Sequence, residues 1–369
     1  MAAIVLASTE NISREEWLTY RNLGIGGSDA AVVCGVSKYK SPVELWVEKT
    51  GQALLQETDN ISEATYWGTR MESLIREEFA LRTGIKVVPV HQIIQSRDYP
   101  FMIANLDGVC RCPTHGKCVF EAKTANAFKA SEWDGDLVPQ DYVLQVQHYL
   151  CVTGFNGAYI AVLIGGNDFR WKFIPRNEDL ISMLIRIERD FWMHVQDDVP
   201  PPVDGSDACT KFFSRRYPDS LPQSKIILPD AAADLIGRYS EADKQINIFA
   251  EQKQEAANLL KQMLGDNEVG IVRSGRDSKN NGDTDSIGNY EDGEDGEHCR
   301  QNGESYVKWK TITQERFNAK LLEAEQPEIY AQYITMSSYR RFTVKSSNFD
   351  ADTGHKGVAA KTDSSGKVG

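Results

Sequence analysis

Asp107, Glu121 and Lys123 are the residues whose types and order in this sequence can do chemistry. Glu121 and Lys123 stand one residue apart in FEAKTA, so on a strand both side chains point to one face. Asp107 lies in ANLDGVC, closing a segment that reads as the neighbouring strand. Carboxylates converging from adjacent strands hold a hard divalent cation, which neutralises a phosphate and lowers the pKa of an attacking water. The backbone carbonyl of Ala122 offers a further ligand, and Lys123 places positive charge where negative charge develops. Glu72, on the preceding helix, can reach the same cluster. An E-x-K triplet alone is more often an exposed salt bridge, and a strand ending in Asp-Gly more often a turn. The ordered set of helix Glu72, strand Asp107, strand Glu121-Ala122-Lys123 and helix Gln145 is what points to metal-assisted hydrolysis of a phosphodiester.

The elements that must position these residues are legible in the pattern. Residues 12–22 read as a serine-capped helix that ends at the glycine-rich turn GIGGSDAA. SPVELWVEKTG is a second short helix, with Ser41 as cap, Pro42 at its first position and Gly51 at its end. Residues 62–84 carry Met71, Leu74, Ile75, Glu78 and Phe79 at helical spacing and stop at a glycine. KVVPVHQII, FMIANLDGVCRC and KCVFEAKTA are rich in β-branched and aromatic residues and predict an antiparallel meander, with PTHG as a turn. A helix over 139–154, a buried strand GAYIAVLIGG, a returning strand FRWKFIP and a long amphipathic helix complete the unit before VPPPVDG. The expected fold class is α/β: a mixed central sheet flanked by helices over residues 1–205, then a mainly helical unit with a hairpin over 206–345. The long helix 230–265 is too long for a small domain unless another helix or chain pairs with it. Residues 271–303, rich in Gly, Asp, Asn and Ser, are expected to form a disordered acidic loop, and 346–369 a disordered tail.

Composition bounds the function more loosely. The 369 residues suggest a large domain with an appendage, and 41% hydrophobic content with seven tryptophans suffices for a packed interior. Net charge is −12, which by itself speaks against nucleic acid, but residues 275–297 carry eight acidic and two basic residues and so hold half the imbalance. An enzyme that grips DNA through metal ions and a few local basic groups can be acidic overall. No apolar run is long enough to cross a bilayer, and seven scattered cysteines form no disulfide framework, so a cytoplasmic location without membrane contact is expected.

At GIGGSDAA with SPVELWVEKTG, YWGTRMESLIREEF, ANLDGVC, FEAKT and LQVQHYLCVTG the sequence resembles the YqaJ-type viral recombinase family, which is similar to lambda exonuclease and belongs to the PD-(D/E)XK nucleases. These motifs span roughly residues 12–200 in the family's order. The resemblance implies a restriction-endonuclease-like core in which Asp107 and Glu121, with the Ala122 carbonyl, hold Mg²⁺ (Mn²⁺ as a substitute). Lys123 would be the catalytic lysine, Glu72 would support a second metal, and Gln145 would orient the site. Arg21 and Ser28, spaced R-x6-S, would grip the terminal 5′ phosphate. It further implies 5′-to-3′ degradation of linear duplex DNA from its ends, a trimeric homo-oligomer, and a partner that anneals the single strand produced. An endonuclease or nickase of the same fold, or an inactive DNA-end-binding recombination scaffold, are the alternative readings. The resemblance does not reach beyond about residue 205.

Other signals carry less. Cys110, Cys112, His115 and Cys118 are ligand types for zinc, but C-x-C-x2-H-x2-C is not an ordinary zinc spacing and a tight hairpin leaves little room for a metal. GIGGS lacks the Gly-Lys-Ser/Thr of a phosphate loop. His148 reads as a satisfied core histidine, Asp283 and Asp285 lack a calcium-loop spacing, and SSYRRFTVK at 337–345 fits DNA contact and closure of the appended unit equally.

Overall fold

Capping chemistry delimits the helices around the candidate site. α1 (Arg14–Arg21) starts at Ser13, whose hydroxyl accepts from the Glu16 amide while the Glu16 carboxylate accepts from the Ser13 amide at 2.9 Å. α2 (Gly27–Val33) follows the glycine turn, and α3 (Pro42–Lys49) begins at Ser41 with proline in its first turn. α4 (Glu63–Thr83) runs from a Ser62 cap to Gly84 at φ 71°, the left-handed stop that glycine adopts without strain. α5 (Gln140–Thr153) stops the same way at Gly154, and α6 (Glu178–Gln196) is capped by Asn177. The computed structural model describes residues 3–52, 62–272 and 305–345.

Two sheets hold these helices. β1 (Ile4–Ser8), β3 (Gln92–Gln95) and β4 (Ile103–Asn105) form an antiparallel sheet in the order β1-β3-β4. β2 (Val87–Val88), β5 (Gly108–Cys112), β6 (Gly116–Ala125), β7 (Gly157–Ile164) and β8 (Asp168–Pro175) form the central sheet in that order. Only β6 and β7 pair in parallel, joined through a 3₁₀ turn (Ala127–Trp133) and α5. This is the mixed sheet flanked by helices expected from the sequence.

Burial explains the apolar run of β7, which is covered on both faces. On one face Ile75 and Phe79 of α4 pack on Phe120, Ala122, Tyr159 and Ala161. On the other, Val146 and Leu150 of α5 pack on Val119, Ile160 and Val162. FMIANLDGVCRC differs from the expected single strand of a meander. Leu106 turns into the core and the carboxylate of Asp107 binds a neighbouring amide, so the segment breaks there into β4 and β5, which serve different sheets.

The chain divides into units Met1–Pro218 and Asp219–Gly369. The first extends past the boundary expected at 205, because α7 (Asp207–Arg216) lays Cys209 and Phe212 against a cluster with Val43, Trp46 and Phe191. The second contains α8 (Ala232–Leu264), the hairpin of β9 (Val269–Val272) and β10 (Ser305–Lys308), α9 (Ala319–Glu325) and α10 (Pro327–Tyr333). Ile271 and Val272 of the expected loop 271–303 are strand; the rest of that loop and the tail 346–369 lie outside the described residues. Among the described residues no helix is long and apolar enough to cross a membrane.

Candidate active site

Glu121 and Lys123 project from the middle of β6 toward α5, which returns Gln145 to meet them. The Lys123 ammonium donates to Glu121 Oε1 at 2.6 Å and to Gln145 Oε1 at 3.0 Å, and the Gln145 amide donates to the same Glu121 oxygen at 2.6 Å. Gln145 Nε2 also reaches the Tyr149 hydroxyl at 3.0 Å, one turn further along α5. Lys123 lies 4.9 Å from the centre of the Tyr142 ring, which favours its cationic form. Asp107 enters from the β4–β5 break. Its Oδ2 accepts the Ala122 amide at 2.8 Å, and Arg76 of α4 donates to its backbone carbonyl at 3.3 Å.

The electrostatics are those of carboxylates crowded out of water. Burial, and then the nearness of Asp107, push the Glu121 carboxyl up to about 8. Burial raises Asp107 as well, against the pull of Lys123, the Ala122 amide and Arg76. Glu72, half-buried on α4, is raised to about 7 by burial and by Asp107; it feels the centre electrostatically without a hydrogen bond to it. Burial lowers the Lys123 pKa, but Glu121 and Asp107 outweigh this and raise it.

These groups fit a divalent cation on one observation. Glu121 Oε2 is buried without any donor. A buried acceptor left unpaired beside a second carboxylate is costly, and a cation relieves both costs at once. Asp107 and Glu121 form the pair that would hold it. No group of three His, Cys, Asp or Glu side chains arranged for a metal occurs among the described residues, so backbone and water oxygens would complete the shell.

Arg21 and Ser28, predicted together, are together: Arg21 Nη2 donates to Ser28 Oγ at 2.6 Å. The sequence reading missed what holds them. Asp29 accepts from Arg21 at 2.8 Å through Oδ1, while its Oδ2 takes Lys49 at 2.9 Å and the Gly26 amide at 3.0 Å. Lys49 also donates to the Arg21 carbonyl. Burial alone would raise the Asp29 carboxyl, but Arg21 and Lys49 hold it far below the usual carboxylate range. Trp17 backs the guanidinium at 5.2 Å. Arg21 opens onto a small cleft lined by Gly26, Gly27, Ser28, Asn105 and Tyr149, so Tyr149 touches both this cleft and Gln145. Gly27 permits the approach, since a Cβ there would lie 2.3 Å from the Tyr149 ring. Asp29 in GGSDAA was visible as an acid beside the predicted serine; Lys49 gave no signal, standing in a helix end where a lysine is ordinary.

The cysteine hairpin lies elsewhere. Cys110, Cys112 and Cys118 are buried with Phe79 and Phe120, and the Tyr159 hydroxyl approaches Cys112 Sγ at 3.2 Å. His115 is stacked on Phe173, 3.8 Å between ring centres. His148 is fully buried between Glu188 and the Ile103 carbonyl.

A family model described as the YqaJ-like viral recombinase domain matches residues 16–156. The chain is 35% identical to an uncharacterised protein, YqaJ, of Bacillus subtilis strain 168, over 93% of this chain and 98% of that one. Among solved structures it is similar to an alkaline exonuclease of Laribacter hongkongensis, with 20% identity, TM-score 0.43 and coverage of 55% of this chain and 97% of that chain. A phage-related exonuclease from Haemophilus somnus 129PT aligns at 12% identity and TM-score 0.35, over 49% of this chain and 99% of that chain. The matched residues 16–156 contain Arg21, Ser28, Glu72, Asp107, Glu121, Lys123 and Gln145, and with identity sustained over nearly its whole length the chain belongs to the YqaJ-like viral recombinase family.

Proposed function

We propose that this protein is a metal-dependent deoxyribonuclease that degrades linear duplex DNA from its 5′ ends to supply single strands for recombination. The observation that carries the reading is the buried Glu121 with one oxygen bound by Lys123 and Gln145 and the other without a donor, beside Asp107. Asp107 and Glu121, with the Ala122 carbonyl, would hold Mg²⁺ or Mn²⁺, with Glu72 bearing on the outer waters. When bound, the cation supplies charge neutralisation and an acidified water. Lys123, held cationic by its neighbours, stabilises the charge that grows on the scissile phosphate, and Gln145 fixes the orientation of both Lys123 and Glu121. Arg21 and Ser28 receive the terminal 5′ phosphate, where the guanidinium offers a bidentate fork. A protein that anneals the exposed strand is the expected partner.

The test is digestion of linear duplex labelled at either end, with and without Mg²⁺, by wild type and Lys123→Ala. Metal-dependent release of 5′ label that the variant loses supports the reading. Cleavage of covalently closed circles would instead make it an endonuclease, and intact DNA held tightly at its ends would make it a scaffold.

A further inference from the structure

Tyr149 is buried with a hydrogen bond still to give. Its side chain, on α5 one turn beyond Gln145, is only 5% exposed. The Gln145 amide decides which way the bond between them runs. Gln145 Nε2 donates to Glu121 Oε1 at 2.6 Å and to the Tyr149 hydroxyl at 3.0 Å, while Gln145 Oε1 accepts from Lys123 at 3.0 Å. The reverse orientation would set the amide oxygen against the carboxylate and the amide nitrogen against the ammonium, so the network fixes the amide as described. An amide nitrogen cannot accept, and the phenol oxygen is therefore the acceptor here. Its own proton is left over, and no acceptor among the described residues takes it. Burial pushes the phenol above its ordinary pKa, so the proton stays on the oxygen. A buried donor without an acceptor costs about as much as a lost hydrogen bond.

The hydroxyl stands beside the glycine turn. A Cβ on Gly27 would lie 2.3 Å from Tyr149 Cε1 and 2.6 Å from Cζ, the carbon that bears the hydroxyl. Tyr149 thus lines the same cleft as Arg21 and Ser28. Arg21 and Lys49 share the single carboxylate of Asp29, which leaves the cluster one positive charge in excess. An anionic oxygen in the cleft balances that charge and accepts the phenol proton.

We propose that Tyr149 is a specificity-determining residue, whose hydroxyl donates to the terminal phosphate of a DNA end in the Arg21 cleft and, through Gln145, positions Lys123 and Glu121 when that end is in place. The inference rests on the proposed phosphate grip at Arg21 and Ser28. A hydroxyl whose proton is engaged is a stronger acceptor, so an occupied cleft tightens the bond from Gln145, and Gln145 carries the effect to the two groups it already holds. A 5′-hydroxyl end offers no terminal phosphate and leaves the phenol proton unmatched.

The test uses the full chain and hairpin duplexes with one open end, either 5′-phosphorylated or 5′-hydroxyl. Tyr149→Phe removes the hydroxyl and keeps the ring that packs on Gly27. Binding is read by fluorescence anisotropy in EDTA, where no DNA is cut, for wild type, Tyr149→Phe and Arg21→Ala. The preference for the phosphorylated end should fall about tenfold or more in Tyr149→Phe, the size of a hydrogen bond to a charged group. With Mg²⁺ and saturating DNA, the single-turnover rate should show the same loss of preference, which a merely structural role would not produce because it would slow both ends alike. A preference kept by Tyr149→Phe but lost by Arg21→Ala, or an equal loss on both ends, would overturn this inference and leave the grip at Arg21 standing. A wild type that binds both ends equally would overturn the grip and this inference with it.

Discussion

Removing Glu188 should cost about as much as truncating a large buried aromatic of the core. Its carboxylate and the His148 ring are both fully buried, with His148 Nδ1 2.9 and 3.0 Å from the two carboxylate oxygens. The other ring nitrogen lies 2.8 Å from the Ile103 carbonyl, which can only accept. Both ring nitrogens therefore face acceptors, and the pair is satisfied with two protons on the ring. Burial lowers the imidazole pKa, but Glu188 and the Ile103 carbonyl outweigh it and raise it; burial also raises Glu188. Glu188→Ala takes the counter-charge from an interior cation, a change that costs about 3–5 kcal/mol. For a unit of this length each kcal/mol moves the melting midpoint by about 2–4 °C, so a fall of about 6–20 °C is expected. The pH dependence has a definite sign. A histidine whose folded pKa is raised binds its proton more tightly in the native state, so its contribution is complete below about pH 6.5 and is lost as pH rises through the folded value. The raised Glu188 has the same sign. Calorimetric midpoints from pH 6 to 9 should therefore carry a decline that Glu188→Ala lacks, and the cycle with His148→Ala should show strong coupling. A midpoint shift under about 3 °C, or costs that simply add in the double variant, would refute the argument.

Lys123→Ala should lower the rate of DNA hydrolysis by about 10²–10³, read in single-turnover digestion. Gly27→Ala drives a methyl into the Tyr149 ring and should cost about 1–3 kcal/mol in denaturant unfolding. Asp29→Asn removes the anion shared by Arg21 and Lys49, so preference for 5′-phosphorylated over 5′-hydroxyl ends should shrink about tenfold or more; an unchanged preference would remove Asp29 from the positioning of Arg21.

Local rules made most of the fold and half of the site readable. Ser13, Ser41 and Ser62 with their partners mark helix starts by hydrogen bonds that span three residues, and Gly84 and Gly154 mark ends by a conformation that favours glycine. Glu121 and Lys123 were found because strand periodicity is local too. The fold broke expectation at Leu106 and Asp107, where tertiary packing assigns one extended segment to two sheets. Lys49, Tyr149 and Glu188 escaped for a related reason: Lys49 is 28 residues from the Arg21 carbonyl and Glu188 is 40 from His148, and nothing near either residue betrays its partner. α7 joined the first unit because its apolar face fits a cluster that includes Val43 and Trp46 from far earlier in the chain, while VPPPVDG before it looked like a boundary.

β4 gives the two parts of the site a common ruler. Ile25 donates to the Phe101 carbonyl at 2.7 Å and accepts from the Ile103 amide at 2.9 Å, which fastens the turn bearing Ser28 to that strand. Ile103, Ala104 and Asn105 line the Arg21 cleft, and Asp107 follows only two residues later, about 7 Å along an extended chain. The wall of the Arg21 cleft and the Asp107 carboxylate are then joined by a short length of peptide that cannot stretch. If the chain degrades DNA from its 5′ ends as proposed, remodelling the side chains of the cleft will change how tightly an end is held without moving Asp107 along the chain relative to β4.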